Sequence, residues 1–441
     1  MDKRDLTTGS VSQKLIQLTL PMMLGIVSMV AFNLIDTYFV GKLGKNELAA
    51  LSFTFPVIMI IFSIIQGLGI GATALISKSI GRNDRAKAAR ETTDSVILTL
   101  IITGIFVLIG LSTIQPTFEI LGADGVTSSM AQEYMTIWYF ALFFVSVPFV
   151  GNSAIRSTGD AKTPTYIMLF AVLVNAILDP ILIFGYLGFP ALGLRGAAIA
   201  TAISRAMTMI LSFYILIKRE HLITFTIPSR QVIIGCWGSL LSIALPSSLA
   251  KLIVPLAIAV ITSMLSVYGE HAVAAFGVGS RIEFLATSIL FALGASIGPF
   301  VGQNIGKNRL DRVNKSVTIS NKFSILWGLF VWIILIILAR PIGSIFTQNE
   351  EVIDVVALFL WIVPVGFGLQ GILGIVNSYL NTINKPMLAL RIIFLQMLIV
   401  GLPLMYLGRY VADVKGIFIG LAATYIFGGL LSLFILMRNR V

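Results

Sequence analysis

The chain has 441 residues, of which 57% are hydrophobic and only 12% are charged, and its formal net charge is +11. Soluble domains carry about 25% charged residues, so this composition excludes a soluble protein and indicates a polytopic, all-α membrane protein. One cysteine and two histidines exclude an internal disulfide, a thiolate cluster and a His-based metal site, and basic residues spread over many loops are not typical of a nucleic-acid-binding protein.

Twelve apolar runs are long enough to cross a bilayer, which takes about 20 mostly apolar residues. The first run contains Pro21 and Asp36 and lacks the small-residue cleavage pattern of a signal peptide, so we interpret it as a retained helix. The predicted spans are 15–40, 49–77, 92–115, 131–155, 163–186, 194–217, 233–266, 272–301, 320–339, 353–378, 387–408 and 415–437.

The basic residues are distributed unevenly between the two sides of the membrane. With the N-terminus placed in the cytoplasm, 22 of the 31 Lys and Arg residues fall in cytoplasmic segments, 6 fall outside and 3 lie within spans. The positive-inside rule therefore predicts that both termini are cytoplasmic and that the number of spans is even. Short tails and the lack of an organelle signal favour the inner (plasma) membrane of a prokaryote.

The two halves of the chain resemble each other at an offset of 225 residues. The matches are Leu20-Pro21 with Leu245-Pro246, Gly44 with Gly269, Ile80-Gly81 with Ile305-Gly306, and Asn83 with Asn308. Six spans per repeat predict two parallel six-helix lobes, 1–217 and 233–441, joined by a cytoplasmic linker at 218–232. Transporters of this design carry their substrate between the lobes, and two lobes in one chain predict function as a monomer.

Two acids break the repeat. Asp36 aligns with Ile261, and Asp179 aligns with Leu402 at an offset of 223. An acid within a membrane costs a few kcal/mol unless it is solvated or neutralised, so it indicates a functional site by default. The structural alternatives are an acid that reaches the interface or one neutralised by a fixed partner. Both acids lie at similar depth, which favours a shared site.

Each acid also has an amide on its own helical face. Asn33 lies three residues before the first acid, and Asn175 lies four residues before the second. Pro180 cannot donate to the helix ladder, which frees the carbonyl of Ala176 as a further ligand and makes Pro180, like Pro21, a predicted conformational hinge. Carboxylate and amide oxygens in one lobe predict a site for a proton or a sodium ion, and the sequence does not distinguish the two.

These residues lie within motifs that resemble the MATE family (multidrug and toxic compound extrusion transporters), and most closely its DinF-like branch. The resemblance extends over both lobes, and Asp36 together with the Asn-xxx-Asp-Pro pattern is its most specific part. The motifs are Leu20-Pro21-Met22, Asn33-Leu-Ile-Asp36, Gly41-Lys-Leu-Gly44, Gly67-Leu-Gly-Ile-Gly71, Arg156-Ser-Thr-Gly-Asp160, Asn175-Ala-Ile-Leu-Asp179-Pro180 and Gly196-Ala-Ala-Ile-Ala-Thr201.

The resemblance implies a transporter, not an enzyme, with no cofactor. It would export bulky, often cationic and amphipathic compounds by alternating access in exchange for H⁺ or Na⁺, with Asp36 and Asp179 as the coupling acids and helix 1 bending at Pro21. It also implies that Tyr134, Asn152 and Thr201 join Asn175 around a cavity in the N-terminal lobe, with Asn33 beside them.

The C-terminal lobe departs from the NorM-like pattern, in which helices 7 and 10 carry acids. The seventh span holds Lys251, and the tenth holds Gln370 and Asn377. Glu283 in the eighth span is either a second functional acid or the structural partner of a base, and we favour the structural role. The role of Arg205 in the sixth span stays open.

Two alternatives remain. A flippase for lipid-linked precursors would line its cavity with bases that hold pyrophosphate, and Arg205, Lys251 and Arg281 are the candidates. A membrane enzyme or receptor is disfavoured, because the sequence offers no paired nucleophile and base, and because a receptor normally forms one bundle rather than two repeats.

Overall fold

The computed structural model describes residues 4–123 and 125–441, and every regular element in these two stretches is helical. The α-helices are α1 (Val11–Gly41), α2 (Lys45–Gly81), α3 (Arg85–Ser112), α4 (Ile114–Ile120), α5 (Gly125–Ser157), α6 (Lys162–Phe184), α7 (Leu194–Tyr214), α8 (Arg230–Ser266), α9 (Glu270–Gly306), α10 (Leu310–Phe346), α11 (Glu350–Ile362), α12 (Phe367–Thr382), α13 (Pro386–Phe394) and α14 (Leu402–Arg438). Short 3₁₀ or π turns occupy Tyr186–Gly188, Ile215–Arg219, Val363–Gly366 and Leu395–Gly401.

Within the described residues, eleven continuous helical segments are long and apolar enough to cross a membrane. The last of them, Pro386–Arg438, has 53 residues and is interrupted by non-helical backbone at Ala412 and Asp413. Gly408 and Gly416 lie against each other on either side of this break, so the chain turns back and crosses twice. The prediction of an all-α membrane protein with twelve spans is therefore confirmed.

The sequence repeat also appears in the backbone. The turn between α2 and α3 contains Asn83 at φ +60°, and the turn between α9 and α10 contains Asn308 at φ +57°. Asparagine tolerates this left-handed conformation better than most residues because its short side chain bonds locally. The two aligned asparagines thus end corresponding long helices in the same way.

One compact unit contains residues 4–5 and Leu24–Leu245. Helix α5 is its central element and packs against α2, α3 and α7. Tyr134, Met135 and Trp138 of α5 belong to a buried cluster that also contains Val40 of α1 and Ile183 of α6. This cluster fixes the helices that carry the predicted acids.

The other compact unit contains Leu6–Met23 and Pro246–Val441. Its core lies among α9, α11, α12 and α14, where Phe359, Phe367 and Phe418 are almost fully buried. Phe359 and Phe418 meet edge to face, with their ring centroids 5.2 Å apart.

The units differ from the predicted lobes at two stretches. The segment Leu6–Met23, which includes the first part of α1, belongs to the unit that contains the second half of the sequence. The first part of α8, up to Leu245, belongs to the unit that contains the first half. The predicted linker at 218–232 is shorter in the structure, where the non-helical segment between Arg219 and Arg230 covers 220–229. The unit boundaries fall beside Pro21 and at Pro246, the two prolines that the repeat aligns.

Candidate functional site

Helix α6 carries the second acid of the predicted pair. The helix ends at Gly185, whose φ of +78° is left-handed and therefore suits glycine, and a side chain there would come within 2.8 Å of the amide nitrogen of Ala191. Helix α7 then packs closely on α6. Gly196 permits this approach, since any side chain there would collide with the carbonyl of Leu182. This close approach places the start of α7 against Leu182, one turn of α6 beyond Asp179.

Asn175 and Asp179 are both fully buried on α6. The side-chain amide of Asn175 donates to Oδ1 of Asp179 at 3.0 Å, across one helical turn. The other oxygens of the two side chains, Oδ1 of Asn175 and Oδ2 of Asp179, have no hydrogen-bond partner among the described residues. The pair predicted from the i, i+4 spacing is therefore formed, and two of its oxygens remain available.

Asp36 on α1 faces the same cluster. Only 8% of its surface is exposed, and Oδ1 has no hydrogen-bond partner in the described part of the chain. The carboxylates of Asp36 and Asp179 are close enough to repel each other, and both interact electrostatically with the buried hydroxyl of Tyr134 on α5. The structure thus brings both predicted acids and Tyr134 together.

Thr201 supplies a further buried oxygen on α7, and its hydroxyl also lacks a partner among the described residues. It lies one turn beyond Ala197, which packs in the same cluster as Tyr134 and Val40. Four buried oxygens on α1, α6 and α7, from Asp36, Asn175, Asp179 and Thr201, therefore lack hydrogen-bond partners within residues 4–123 and 125–441. Buried polar atoms are normally hydrogen-bonded, so this set indicates a site that receives a proton or a cation.

Arg205 is the residue of this site that the sequence left unassigned. Its guanidinium lies over the ring of Phe32 at 4.1 Å, and Nη1 lies 3.6 Å from the sulfur of Met168. The positive charge of this guanidinium also attracts the carboxylate of Asp36. The sequence shows only that one lobe has a base in α7 and an acid in α1. Because these helices are far apart along the chain, the sequence does not predict that Arg205 and Asp36 interact.

Two predicted cavity residues lie elsewhere. Asn33 is exposed, and its backbone carbonyl accepts a hydrogen bond from Thr37 at 2.8 Å. Asn152 accepts a hydrogen bond from Ser212 at 3.3 Å, and its position on α5 is 18 residues, or about 27 Å, from Tyr134. Among the described residues, neither amide hydrogen-bonds to Asp36 or Asp179.

The two proposed hinge prolines lie in unbroken helices. Helix α1 continues through Pro21 from Val11 to Gly41, and α6 continues through Pro180 from Lys162 to Phe184. The change of unit between Met23 and Leu24 nevertheless falls two residues beyond Pro21.

In the other unit, Glu283 of α9 pairs with no base among the described residues. Its Oε1 accepts a hydrogen bond from the hydroxyl of Tyr425 on α14 at 2.7 Å. Lys251 is exposed on α8, and Gln370 accepts a hydrogen bond from the amide of Gln396 at 2.8 Å. The expectation that Glu283 pairs with a base is therefore wrong, since its partner is the tyrosine Tyr425.

Comparison with known proteins gives the family and the relatives that this chain is similar to. The sequence model of the MatE family matches residues 21–181 and again 246–407, at the offset of the internal repeat. The FAD transporter of Shewanella oneidensis is 35% identical over 99% of this chain and 97% of its own length. A probable multidrug resistance protein of Bacillus subtilis, YoeA, is 28% identical over 78% of this chain and 75% of its own length. The bent form of the Vibrio cholerae MATE transporter VcmN has a TM-score of 0.92 and 29% identity, covering 97% of this chain and 96% of that one.

Proposed function

Because the chain belongs to the MatE family of transporters, we propose that it is a cation-coupled exporter whose coupling site is formed by Asp36 and Asp179. The observation that carries this proposal is the group of four partnerless buried oxygens around these two acids. A transporter that moves its cargo against a gradient must bind the driving ion in one state and release it in the other. A buried pair of carboxylates is suited to that exchange.

The charges of the site favour binding of a proton or a monovalent cation over permanent ionisation of both acids. Two like charges in a medium of low dielectric resist joint ionisation, so the pair titrates as a unit. Arg205 offsets part of the charge of Asp36. One further positive charge therefore neutralises the cluster, whether it arrives as H⁺ or as Na⁺. Carboxylate, amide and hydroxyl oxygens are also the ligands that hard cations prefer.

We propose that binding of this charge changes the packing of α1. Once Asp36 is neutralised, its attraction to Arg205 is lost, and the part of α1 that follows Pro21 is held less strongly. The proline supplies the hinge, because it lacks the N–H that would close the helix ladder. A related transporter of this family, VcmN, is known in a form described as bent.

The substrate class has two candidates. Bulky cationic compounds are supported by the relatives named multidrug resistance or export proteins, such as YoeA. An anionic aromatic compound of the flavin dinucleotide type is supported by the 35% identical relative named FAD transporter. Lys251 and Arg281 favour this second candidate, because both are exposed charged side chains within spans, and such groups normally face water or a ligand.

We further propose that the chain acts in a prokaryotic inner membrane, with both termini cytoplasmic, and that one chain is sufficient for transport. The excess of Lys and Arg in the loops on one side supports the orientation. The two repeats in one chain support the monomer.

The test is efflux from proteoliposomes loaded with ethidium or with FAD, driven by an imposed proton or sodium gradient. We expect transport of at least one of the two compounds, and a fall to the background level in Asp36→Asn and Asp179→Asn, because neither amide can take up a proton. Glu119→Gln, an exposed acid on α4, is the matched control and should transport normally.

The gradient that supports transport identifies the driving ion. Wild-type transport that survives both aspartate substitutions would show that the acids are structural and would refute the coupling site. Loss of transport in Glu119→Gln as well would mean that the assay responds to any change of charge.

A further inference from the structure

Glu283 is a membrane acid that the proposed coupling site does not use. It lies on α9, 13 residues after the helix begins at Glu270, in a helix of 37 residues. The hydroxyl of Tyr425 donates to its Oε1 at 2.7 Å, and Tyr425 itself is only 7% exposed. Gly366 makes room for the tyrosine, because a side chain there would come within 2.6 Å of its Cβ. The pair is therefore held in place by the fold.

In the part of the chain that the structure describes, no charged side chain compensates Glu283. Helix α9 packs against α10, α11 and α12, and Glu283 is hydrogen-bonded to α14. Among the described residues of these helices, Tyr425 is the one titratable group that interacts with Glu283. Arg281 precedes Glu283 by two residues, so it projects from another face of α9, and it is exposed. Lys251 of α8 is exposed as well, and within the described residues neither base lies within ion-pair distance of an acid. An ionised carboxylate with only a neutral donor is costly at membrane depth.

The geometry assigns Glu283 and Tyr425 to a second proton-binding site, separate from the cluster around Asp36 and Asp179. The carboxylate of Glu283 takes up one proton to form the carboxylic acid and releases it to regenerate the carboxylate. Tyr425 keeps its own proton and donates to the same oxygen in both states. The inference extends the proposed function, because it adds a proton to those that accompany one transport cycle.

A proton suits this site better than a metal ion. One carboxylate and one phenol offer few oxygens, whereas hard cations take six or more oxygen ligands. A single hydrogen-bonded acid, by contrast, needs no further ligand to hold a proton.

The first test is an infrared pH titration of the purified full-length protein, which follows the carboxylic acid C=O stretch. We expect Glu283→Gln to lose one reversible band that the wild type shows, while Glu270→Gln, an exposed acid on the same helix, retains it. The double variant Asp36→Asn, Asp179→Asn should also retain it, because these acids belong to the other site.

Tyr425→Phe gives a second test that does not remove the acid. Loss of the hydrogen bond to the carboxylate should leave the band in place and move its midpoint towards higher pH by about one pH unit. A merely structural contact would not move the midpoint. If Glu283→Gln does not fold, as judged by size-exclusion chromatography, the Tyr425→Phe titration decides the matter.

The inference is overturned if Glu283→Gln retains every titrating band, or if Tyr425→Phe leaves all midpoints unchanged. The two proposals fail in different ways. Loss of transport in the aspartate variants without a Glu283 band refutes only the second site. A Glu283 band together with normal transport in those variants refutes only the coupling role of Asp36 and Asp179.

Discussion

The two halves of the molecule repeat the same helices but carry different chemistry at aligned positions. Asp36 and Asp179 form a polar cluster in one half, whereas their counterparts Ile261 and Leu402 pack in or against the apolar core of the other. Ile261 is only 2% exposed. The repeat therefore conserves backbone packing, and the polar site is an addition to one copy of it.

A second aligned pair behaves differently. Leu194-Arg195-Gly196 resembles Val414-Lys415-Gly416 at an offset of 220, and at that offset Arg205 corresponds to Tyr425. Arg205 acts on Asp36, and Tyr425 donates to Glu283. Both halves thus keep a donor at this position although the acids lie on different helices. The second half of the molecule therefore lacks the two aligned acids but still has a polar pair, Glu283 and Tyr425, between its helices.

Exchange of the aligned residues should give the largest effect. Ile261→Asp places an unpaired acid in a closed core and should destabilise the protein by about 3 kcal/mol or more. Asp36→Ile should cost much less, because removal of a buried oxygen without a partner among the described residues offsets part of the lost attraction to Arg205, but it should not transport. Thermal unfolding and the yield of monodisperse protein measure the first effect, and efflux measures the second. Equal tolerance of both substitutions would contradict the assignment of a polar site to one half only.

Glycine substitutions test whether the shared backbone packing is equally tight in both halves. Gly196→Ala would collide with the carbonyl of Leu182, and Gly416→Ala with that of Gly408, so each should cost about 1–3 kcal/mol. Gly104→Ala on α3 is the control, because nothing lies within 4 Å of the added carbon, and it should stabilise the helix by about 0.5–1 kcal/mol. Shifts in the unfolding temperature compare the three. A neutral Gly416→Ala beside a costly Gly196→Ala would show that only one turn depends on close approach.

The smallest expected effect distinguishes the turn that follows α5 from the last turns of α12. Asp160, after α5, accepts hydrogen bonds from Thr163 and pairs with Arg219 at 2.6 Å. Burial raises the pKa of Asp160, but these hydrogen bonds and the charges of Arg219 and Arg4 outweigh it, so the pKa lies below its ordinary value of 3.8. Near the end of α12, by contrast, the hydroxyl of Tyr379 donates to the carbonyl of Asn439, which follows α14, at 2.8 Å.

A lowered pKa means that the folded state favours the ionised carboxylate. The stability from Asp160 should therefore be complete above pH 3.8, the ordinary carboxyl value, and should be lost as the pH falls below it towards the folded-state pKa. Asp160→Asn should cost about 1 kcal/mol at pH 7 and little at pH 3. Tyr379→Phe should cost a similar amount at both values, since tyrosine does not titrate in this range. Unfolding curves at the two pH values measure both variants, and parallel behaviour would refute the contrast.

Much of the fold followed from apolar runs and from the repeat. The prediction placed ten of the twelve spans within six residues of the helices, because burial in lipid leaves few ways to satisfy a backbone. The spans 92–115 and 320–339 start 7 and 10 residues after α3 and α10 begin. It also found Asp36, Asn175 and Asp179, since acids within spans are rare and i, i+4 pairs lie on one face. Asn33 satisfied the same spacing rule as Asn175 but is exposed, because spacing fixes a relative face and not which neighbour that face meets.

Sequence by itself determined the membrane class, the helices, the internal repeat and the two acids, because these depend on composition and on local periodicity. Tertiary structure alone decided that the charge of Arg205 acts on Asp36, that Glu283 meets Tyr425 instead of a base, and that the boundaries between the two units fall beside Pro21 and at Pro246. Each of these relations joins residues from different helices, and the rotation and crossing of packed helices are set by side chains distant along the chain.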